Sequence, residues 1–225
     1  MKKALILGGG FAGIDAAIHL RKASYEVTLV SDRDYFYIYP TSIWIPTHGT
    51  EFKDVCLDLK KLQQKHKFNL IVDGVEKIEA EAKKITLKSG TVLDEYDSLI
   101  IAMGSGKMKH KGLENTLSIC GDPEVSLEIR KRLDDLIEKG SGKIAFGFGG
   151  NPKDPSAVRG GPGFEMLFNV HTLLQKKKIR DNFELTMFAP MPKPGARMGN
   201  QALNMMGKMF EPTGIKRSFG KKIKS

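Results

Sequence analysis

Cysteine is scarce: Cys56 and Cys120 stand 64 residues apart in a chain of 225. That excludes a disulfide framework, and with no CxxC or Cys/His cluster no zinc site is expected. A reducing, cytoplasmic setting is the default expectation. Long apolar runs are missing too. No stretch approaches the roughly 18 consecutive apolar residues that span a bilayer, so any membrane contact is expected to be peripheral. The opening MKKALILGGGFAG has a basic start, but its apolar run is four residues long and breaks into glycine without an Ala-x-Ala exit. It is expected to be a first β-strand and not a secretory signal. The five histidines, His19, His48, His66, His110 and His171, follow no ligand spacing, and each reads as an ordinary surface or core residue.

Acidic residues are few at one end. Between Pro190 and Ser225 eight Lys or Arg face the single acid Glu211, a local +7 within a formal total of +10. The first 189 residues therefore carry only +3. The basic character belongs to one end of the chain, so the total charge says little about nucleic acid, and no nucleic-acid partner is expected. With 40 % apolar and 28 % charged residues the chain can bury a substantial core, unlike a disordered one.

Strands and helices alternate along the sequence. Ala4–Leu7 is continuously apolar, the pattern of a parallel strand covered on both faces. Gly8, Gly9 and Gly10 turn the chain, and Ile14, Ala17 and Ile18 follow a helical spacing. A β-branched strand, Tyr25 to Val30, stops at Ser31-Asp32-Arg33. The aromatic, proline-punctuated stretch Tyr35 to Pro46 has neither period and reads as a loop whose apolar side chains face something flat or greasy. Four further strands are expected at Asn69 to Val72, Val75 to Ala80, Lys84 to Gly90 and Asp97 to Ala102. Gly104 to Gly121 reads as a basic linker. A helix is expected from Asp122-Pro123, with an acid N-cap and Pro at its first position, closing at Gly140. A second strand, turn, helix, strand unit then follows: Lys143 to Gly149, a Gly/Pro loop to Gly163, a helix from Phe164 to about Lys178, and Glu184 to Ala189. The fold class is α/β, with two Rossmann-like units, parallel sheets and a small antiparallel β insertion. The expected domains are residues 1–110 and residues 111–225.

The clearest chemical signal is Gly8-Gly9-Gly10-Phe11-Ala12-Gly13, a G-x-G-x-x-G run after a strand and at the start of a helix. Gly8 permits the tight turn, Gly10 lets a pyrophosphate approach the backbone, and Gly13 lets helix and strand pack closely. The phosphate charge then rests on the helix N-terminus. The ribose-binding acid of this fingerprint falls at Ser31, 18 residues beyond Gly13, with Asp32 next.

The run from Val27 to Trp44 resembles the corresponding stretch of sulfide:quinone oxidoreductases. Further matches are Glu79 to Leu87, Tyr96 to Gly104, Leu117 to Cys120 and Gly161-Pro-Gly-Phe-Glu165. That family lies within the FAD-dependent pyridine nucleotide-disulfide oxidoreductases, beside type II NADH dehydrogenases. The resemblance implies FAD as cofactor, with Gly8, Gly9, Gly10, Phe11, Ala12 and Gly13 at the pyrophosphate and Ser31, Asp32 and Arg33 around the adenosine ribose. It further implies that the Val75 backbone touches adenine and that Ala102-Met103-Gly104 forms the turn crossing the flavin nucleotide, with Met in place of the family's Thr. Pro40 to Trp44 would line a flavin or quinone pocket.

By the same resemblance Cys120 and Glu165 are the catalytic candidates. Cys120 matches a cysteine near the family's reactive disulfide, and a small buried hydrophobe is its alternative. The family's central cysteine has no counterpart between Asn151 and Pro162, and a persulfide relay needs two thiols. Glu165 matches a glutamate that faces the flavin and relays a proton. Its alternative is simple helix electrostatics, since a carboxylate at a helix N-terminus gains about 0.3–1 kcal/mol. For NAD(P)H, Gly147 and Gly149 supply two glycines of a second fingerprint, but Pro152 stands where the third is required.

Family members continue well beyond Ser225, so the chain is expected to be C-terminally short. The five Met residues from Met191 to Met209 then read as apolar surface meant for burial. The basic end reads as the solvated edge of an incomplete domain, with an anionic-membrane patch as the alternative, at about 1 kcal/mol per Lys or Arg. The expected function is two-electron transfer from a small reductant, sulfide-like, through FAD to a quinone-type acceptor. NAD(P)H oxidation and a truncated FAD-binding module without turnover are the alternatives, and a homo-oligomer stays open.

Overall fold

The computed structural model describes residues 1–105, 112–150 and 160–221. The middle of the expected linker, Pro152 with most of its Gly/Pro loop, and the last four residues lie outside them. The chain divides into two units, Met1–Ile38 with Lys53–Lys109 and Tyr39–Phe52 with His110–Ser225.

In the first unit strand β1 (Lys3–Leu7) is apolar from Ala4 to Leu7, where both of its faces are covered. Ala4 and Ile6 pack with Ile14 and Ala17 of helix α1 (Phe11–Lys22), and Leu5 and Leu7 pack with Ile85 and Leu87 on the other side. Strand β2 (Glu26–Ser31) pairs parallel with β1. Strand β3 (Tyr35–Tyr37) follows, and the chain then passes through helix α2 (Tyr39–Ser42) in the second unit before returning to β4 (Cys56–Asp58), which pairs antiparallel with β3. Helix α3 (Leu59–His66) is capped by Asp58, whose carboxylate accepts from Lys60 N at 2.7 Å. Beyond it come β5 (Asn69–Val72), the antiparallel meander β6 (Val75–Glu79), β7 (Lys84–Leu87) and β8 (Val92–Leu93), and β9 (Ser98–Ile101). The main sheet is wholly parallel in the order β5-β2-β1-β9. Its connectivity therefore reverses at β1, and in open α/β sheets ligands bind at the carboxyl ends of strands at such a switch point.

The second unit carries helix α4 (Val125–Lys139), β10 (Gly142–Gly147), α5 (Gly161–Lys176), β11 (Phe183–Ala189), α6 (Asn200–Phe210) and β12 (Lys216–Phe219). Its sheet is parallel in the order β10-β11-β12. Phe183, Leu185 and Met187 of β11 turn inward against Leu133, Leu167, Val170, Leu174 and Phe210. The two parallel units and the small antiparallel meander agree with the α/β class read from sequence.

Two local readings change. Tyr35 to Pro46 is not one loop: it holds β3, α2 and a 3-10 turn at Ile45–Thr47, and Tyr37, Ile43, Ile45 and Pro46 are buried within the protein. Helix α4 starts at Val125 and not at Asp122, because Asp122 and Pro123 make i to i+3 turns in which their carbonyls accept from Val125 N and Ser126 N. Of the five Met residues read as apolar surface, Met205, Met206 and Met209 lie on α6, and Met198, Met205 and Met209 are exposed.

Candidate functional site

The glycine turn is built by close approaches that only a missing side chain allows. Gly8 has φ +115°, and a Cβ there would stand 2.3 Å from the Ala102 carbonyl oxygen just past β9. At Gly13 a Cβ would come within 1.8 Å of the Gly8 carbonyl oxygen, so α1 can lie against the end of β1 only with glycine there. Gly10 differs: nothing lies within 4 Å of its would-be Cβ. It forms the N-cap of α1 with no side-chain cap, and no acid stands in the first turn. The first N–H groups of a helix have no acceptor within it. Those of α1 therefore meet an open, uncapped space beside Phe11 and Ala12 at the carboxyl ends of β1 and β2. Phe11 is exposed and packs edge-on against Phe36, ring centroids 4.7 Å apart.

At the end of β2 the three ribose candidates take different roles. Ser31 is 2 % exposed and lies under Gly9, where a Cβ would stand 2.3 Å from its Oγ. Its hydroxyl donates to the Arg33 carbonyl at 2.7 Å and accepts from Arg33 N at 3.3 Å, so it closes a turn in its own backbone. Asp32 keeps an exposed carboxylate, 3.4 Å from Arg33 Nε, and the Arg33 guanidinium lies over the Tyr35 ring. Val75 opens β6 after Asp73-Gly74. The Asp73 carboxylate accepts from Gly74 N at 2.7 Å and Ser89 N at 3.3 Å. Hydrogen bonding from Ser89 holds that carboxyl below the usual carboxylate range. Ala102 donates its N–H to Leu7 O at 2.7 Å, Met103 is exposed, and Gly104 takes φ +75°.

The second unit holds Glu165 and Cys120. Glu165 is the fifth residue of α5, beyond the first turn. The dipole effect fades after that turn, so the helix-terminus account of this carboxylate does not hold. Its Oε1 instead accepts from the indole Nε1 of Trp44 at 3.2 Å. Trp44, 42 % exposed, sits on a turn in which its carbonyl accepts from Gly49 N at 2.9 Å. From α4, Arg130 donates to Ile45 O at 2.6 Å, to Thr50 O at 2.7 Å and to Glu51 Oε2 at 2.8 Å. His48 Nε2 meets the Asp134 carboxylate at 2.9 and 3.1 Å. Cys120 is an exposed, free thiol in the turn closed by Gly121 N donating to Ser118 O at 2.7 Å, which removes the buried-hydrophobe alternative. Among the described residues no group of His, Cys, Asp and Glu could hold a metal ion.

Arg130 is the residue that sequence reasoning missed. It lies in the charged run Glu128-Ile-Arg-Lys-Arg132, where nothing separates a buried guanidinium from a solvated one.

The profile of one family, pyridine nucleotide-disulphide oxidoreductase, matches residues 2–224. The chain belongs to that family. A sulfide-quinone reductase of Aquifex aeolicus is 31 % identical over 198 residues, 86 % of this chain and 44 % of the relative. A type II NADH:quinone oxidoreductase of Staphylococcus epidermidis is 26 % identical over 234 residues, 95 % of this chain and 55 % of the relative. The solved sulfide:quinone oxidoreductase of Aquifex aeolicus superposes with a TM-score of 0.88 at 27 % identity, covering all of this chain and 52 % of that one. The chain thus spans about half the length of the relatives it matches. Members of the family bind FAD, and the first unit fits such a group: Gly10 leaves open the space that a Cβ would fill, in front of uncapped N–H groups.

Proposed function

We propose that the protein is an FAD-dependent oxidoreductase that passes two electrons from a small reduced substrate to a quinone-type acceptor. The observation that carries this reading is the open Gly10 at the N-terminus of α1, flanked by Gly8 and Gly13, which admit no side chain. Relatives named as sulfide-quinone reductase and NADH:quinone oxidoreductase differ in donor and share quinone, which supports the acceptor more strongly than the donor. We assign residues 1–110, apart from the 39–52 segment, to the FAD-binding domain.

FAD held there would supply a two-electron acceptor able to return the pair to a second substrate. The glycine turn and the α1 N–H groups take the pyrophosphate charge. The exposed Asp32 carboxylate would accept from ribose hydroxyls in place of Ser31, whose hydroxyl bonds Arg33. The Val75 backbone would meet adenine, and Ala102 to Gly104 would pass the rest of the nucleotide. Glu165 holds or releases a proton; Oε1 already accepts from Trp44, so the proton goes to Oε2. Cys120 is an exposed single thiol, and since a persulfide relay needs two thiols, a sulfide-like donor would have to reduce the flavin without a cysteine pair. No described helix is long and apolar enough to cross a membrane. A lipid-soluble quinone is met by peripheral contact with the membrane, and the basic end is the solvated edge of an incomplete domain or, alternatively, a patch for anionic lipid.

A second reading, NAD(P)H as donor, is favoured by a cavity of about 520 Å³ lined by Lys193, Asn200, Asn204, Phe210 and Arg217. Its two cations suit a phosphate. The visible spectrum of the purified chain with added FAD tests the first reading. A yellow protein bleached by sulfide and not by NADH supports it, bleaching by NADH alone favours the second, and a colourless protein that takes up no FAD overturns both.

A further inference from the structure

We infer that Arg130 is a positioning residue that sets the Trp44 indole against the Glu165 carboxylate; the inference rests on the reading of Glu165 as the proton-handling group.

The argument begins with the guanidinium fork. Arg130 is 14 % exposed at its side chain, and three of its nitrogens are committed to three acceptors on one short stretch, the carbonyls of Ile45 and Thr50 and the carboxylate of Glu51. A planar fork with fixed donors holds several acceptors in one geometry, which a single ammonium cannot do. Those acceptors bracket a turn that is closed on itself. The Trp44 carbonyl accepts from Thr47 N at 3.3 Å, from Thr47 Oγ1 at 3.3 Å and from Gly49 N at 2.9 Å. His48 takes the left-handed conformation at φ 58°, and a Cβ on Gly49 would lie 3.1 Å from Trp44 Cβ. Ile45 and Pro46 are buried beneath it.

The backbone that carries Trp44 therefore has one position while Arg130 grips the far side of the turn. Asp134, one helical turn along α4, holds His48 on the same stretch. From that position the indole N–H reaches Glu165 on α5, although the three residues come from three separate parts of the sequence.

Trp44 is the single tryptophan of the chain, so its indole N–H gives one resonance in a 15N-labelled sample of the full chain. In the wild type that resonance is expected to carry the downfield shift and slowed solvent exchange of a donor bonded to a carboxylate, and Glu165→Ala, which removes the acceptor, moves it to the position of a solvent-exposed indole. Arg130→Lys and Arg130→Ala are each expected to shift the resonance in that same direction and to speed its exchange, while Arg132→Ala on the same helix leaves it in place. Guanidinium ion added to Arg130→Ala restores part of the wild-type signal. If Arg130→Ala does not fold, Glu51→Ala, which removes one of the three acceptors of the guanidinium, is expected to shift the resonance in the same direction. A folded Arg130→Lys or Glu51→Ala protein with the wild-type indole shift and exchange rate would overturn the inference. The measurement needs no turnover, so it stands apart from the role of Glu165 in catalysis, which fails separately if Glu165→Gln keeps full flavin turnover.

Discussion

The guanidinium of Arg180 donates from Nε to Nδ1 of His171 at 2.8 Å, inside the second unit. The same group donates to Phe183 O at 2.6 Å and to Thr213 O at 2.8 Å, so one side chain joins α5, the start of β11 and the turn before Ile215. An arginine has only donors, so Nδ1 accepts and the imidazole, 7 % exposed, is held unprotonated.

This pairing sets a pH dependence of stability. Burial first, and then the Arg180 charge, push the His171 pKa down from its ordinary value. Above about pH 6.5 the ring is neutral in both the folded and unfolded chain, and its contribution is fully present. As pH falls below that, the unfolded chain takes a proton that the folded one resists, and stability is lost. Thermal unfolding between pH 8 and pH 5, on the order of the histidine range, is expected to show Tm falling at the acid end and falling less in His171→Gln. Equal slopes would remove His171 from the account.

The glycine turn separates folding from cofactor binding. Gly13→Ala puts a methyl into the Gly8 carbonyl, and overpacking of this kind costs about 1–3 kcal/mol or more, so both stability and FAD uptake fall. At Gly10, where the site is open and φ is −89°, alanine changes stability by within about 1 kcal/mol. It nonetheless weakens FAD binding by about tenfold, or 1.4 kcal/mol. Denaturant titration of the FAD-free protein beside fluorescence titration with FAD checks both halves.

Ser31 and Asp32 divide in the opposite sense. Ser31→Ala breaks a buried turn and is expected to cost about 1–2 kcal/mol of stability, with little effect on FAD beyond that loss. Asp32→Asn removes an exposed carboxylate, leaves Tm unchanged and lowers FAD affinity by about tenfold, in keeping with the worth of a charge-assisted hydrogen bond. An FAD titration in which Ser31→Ala is the weaker binder would reverse the assignment.

The basic end has a direct test. Between Pro190 and Ser225 the chain carries a net +7, and exposed charges are screened over about 10 Å at 0.1 M salt. Co-sedimentation with vesicles containing phosphatidylserine is expected to fall steeply as salt rises and to vanish on neutral vesicles. Binding that ignores ionic strength, or none at low salt, would remove the electrostatic anchor.

Much of this molecule is written locally. The glycine spacing, the apolar β1 run and the periodicity of α4 and α5 each report nearest-neighbour physics, namely backbone freedom, two-sided burial and one apolar helical stripe. What escaped were α3 and α6. Lys60, Lys61 and Lys65 leave α3 little more than Leu59 and Leu62 to bury, and α6 follows a Pro/Gly stretch that reads as loop. Helices this short draw their stability from packing and not from propensity.

The site divides along the same line. Sequence alone determined the Gly8, Gly10 and Gly13 turn that opens α1, because it depends on residues close together in the chain. Only the tertiary structure decided that Trp44 and not a helix terminus holds Glu165, and that Arg130 grips the turn that carries Trp44. Hydrogen bonds across 80 to 120 residues, on the order of separation that no local pattern encodes, exist only once packing has fixed both partners, since a guanidinium reads the same in sequence whether it meets three carbonyl and carboxylate oxygens or water.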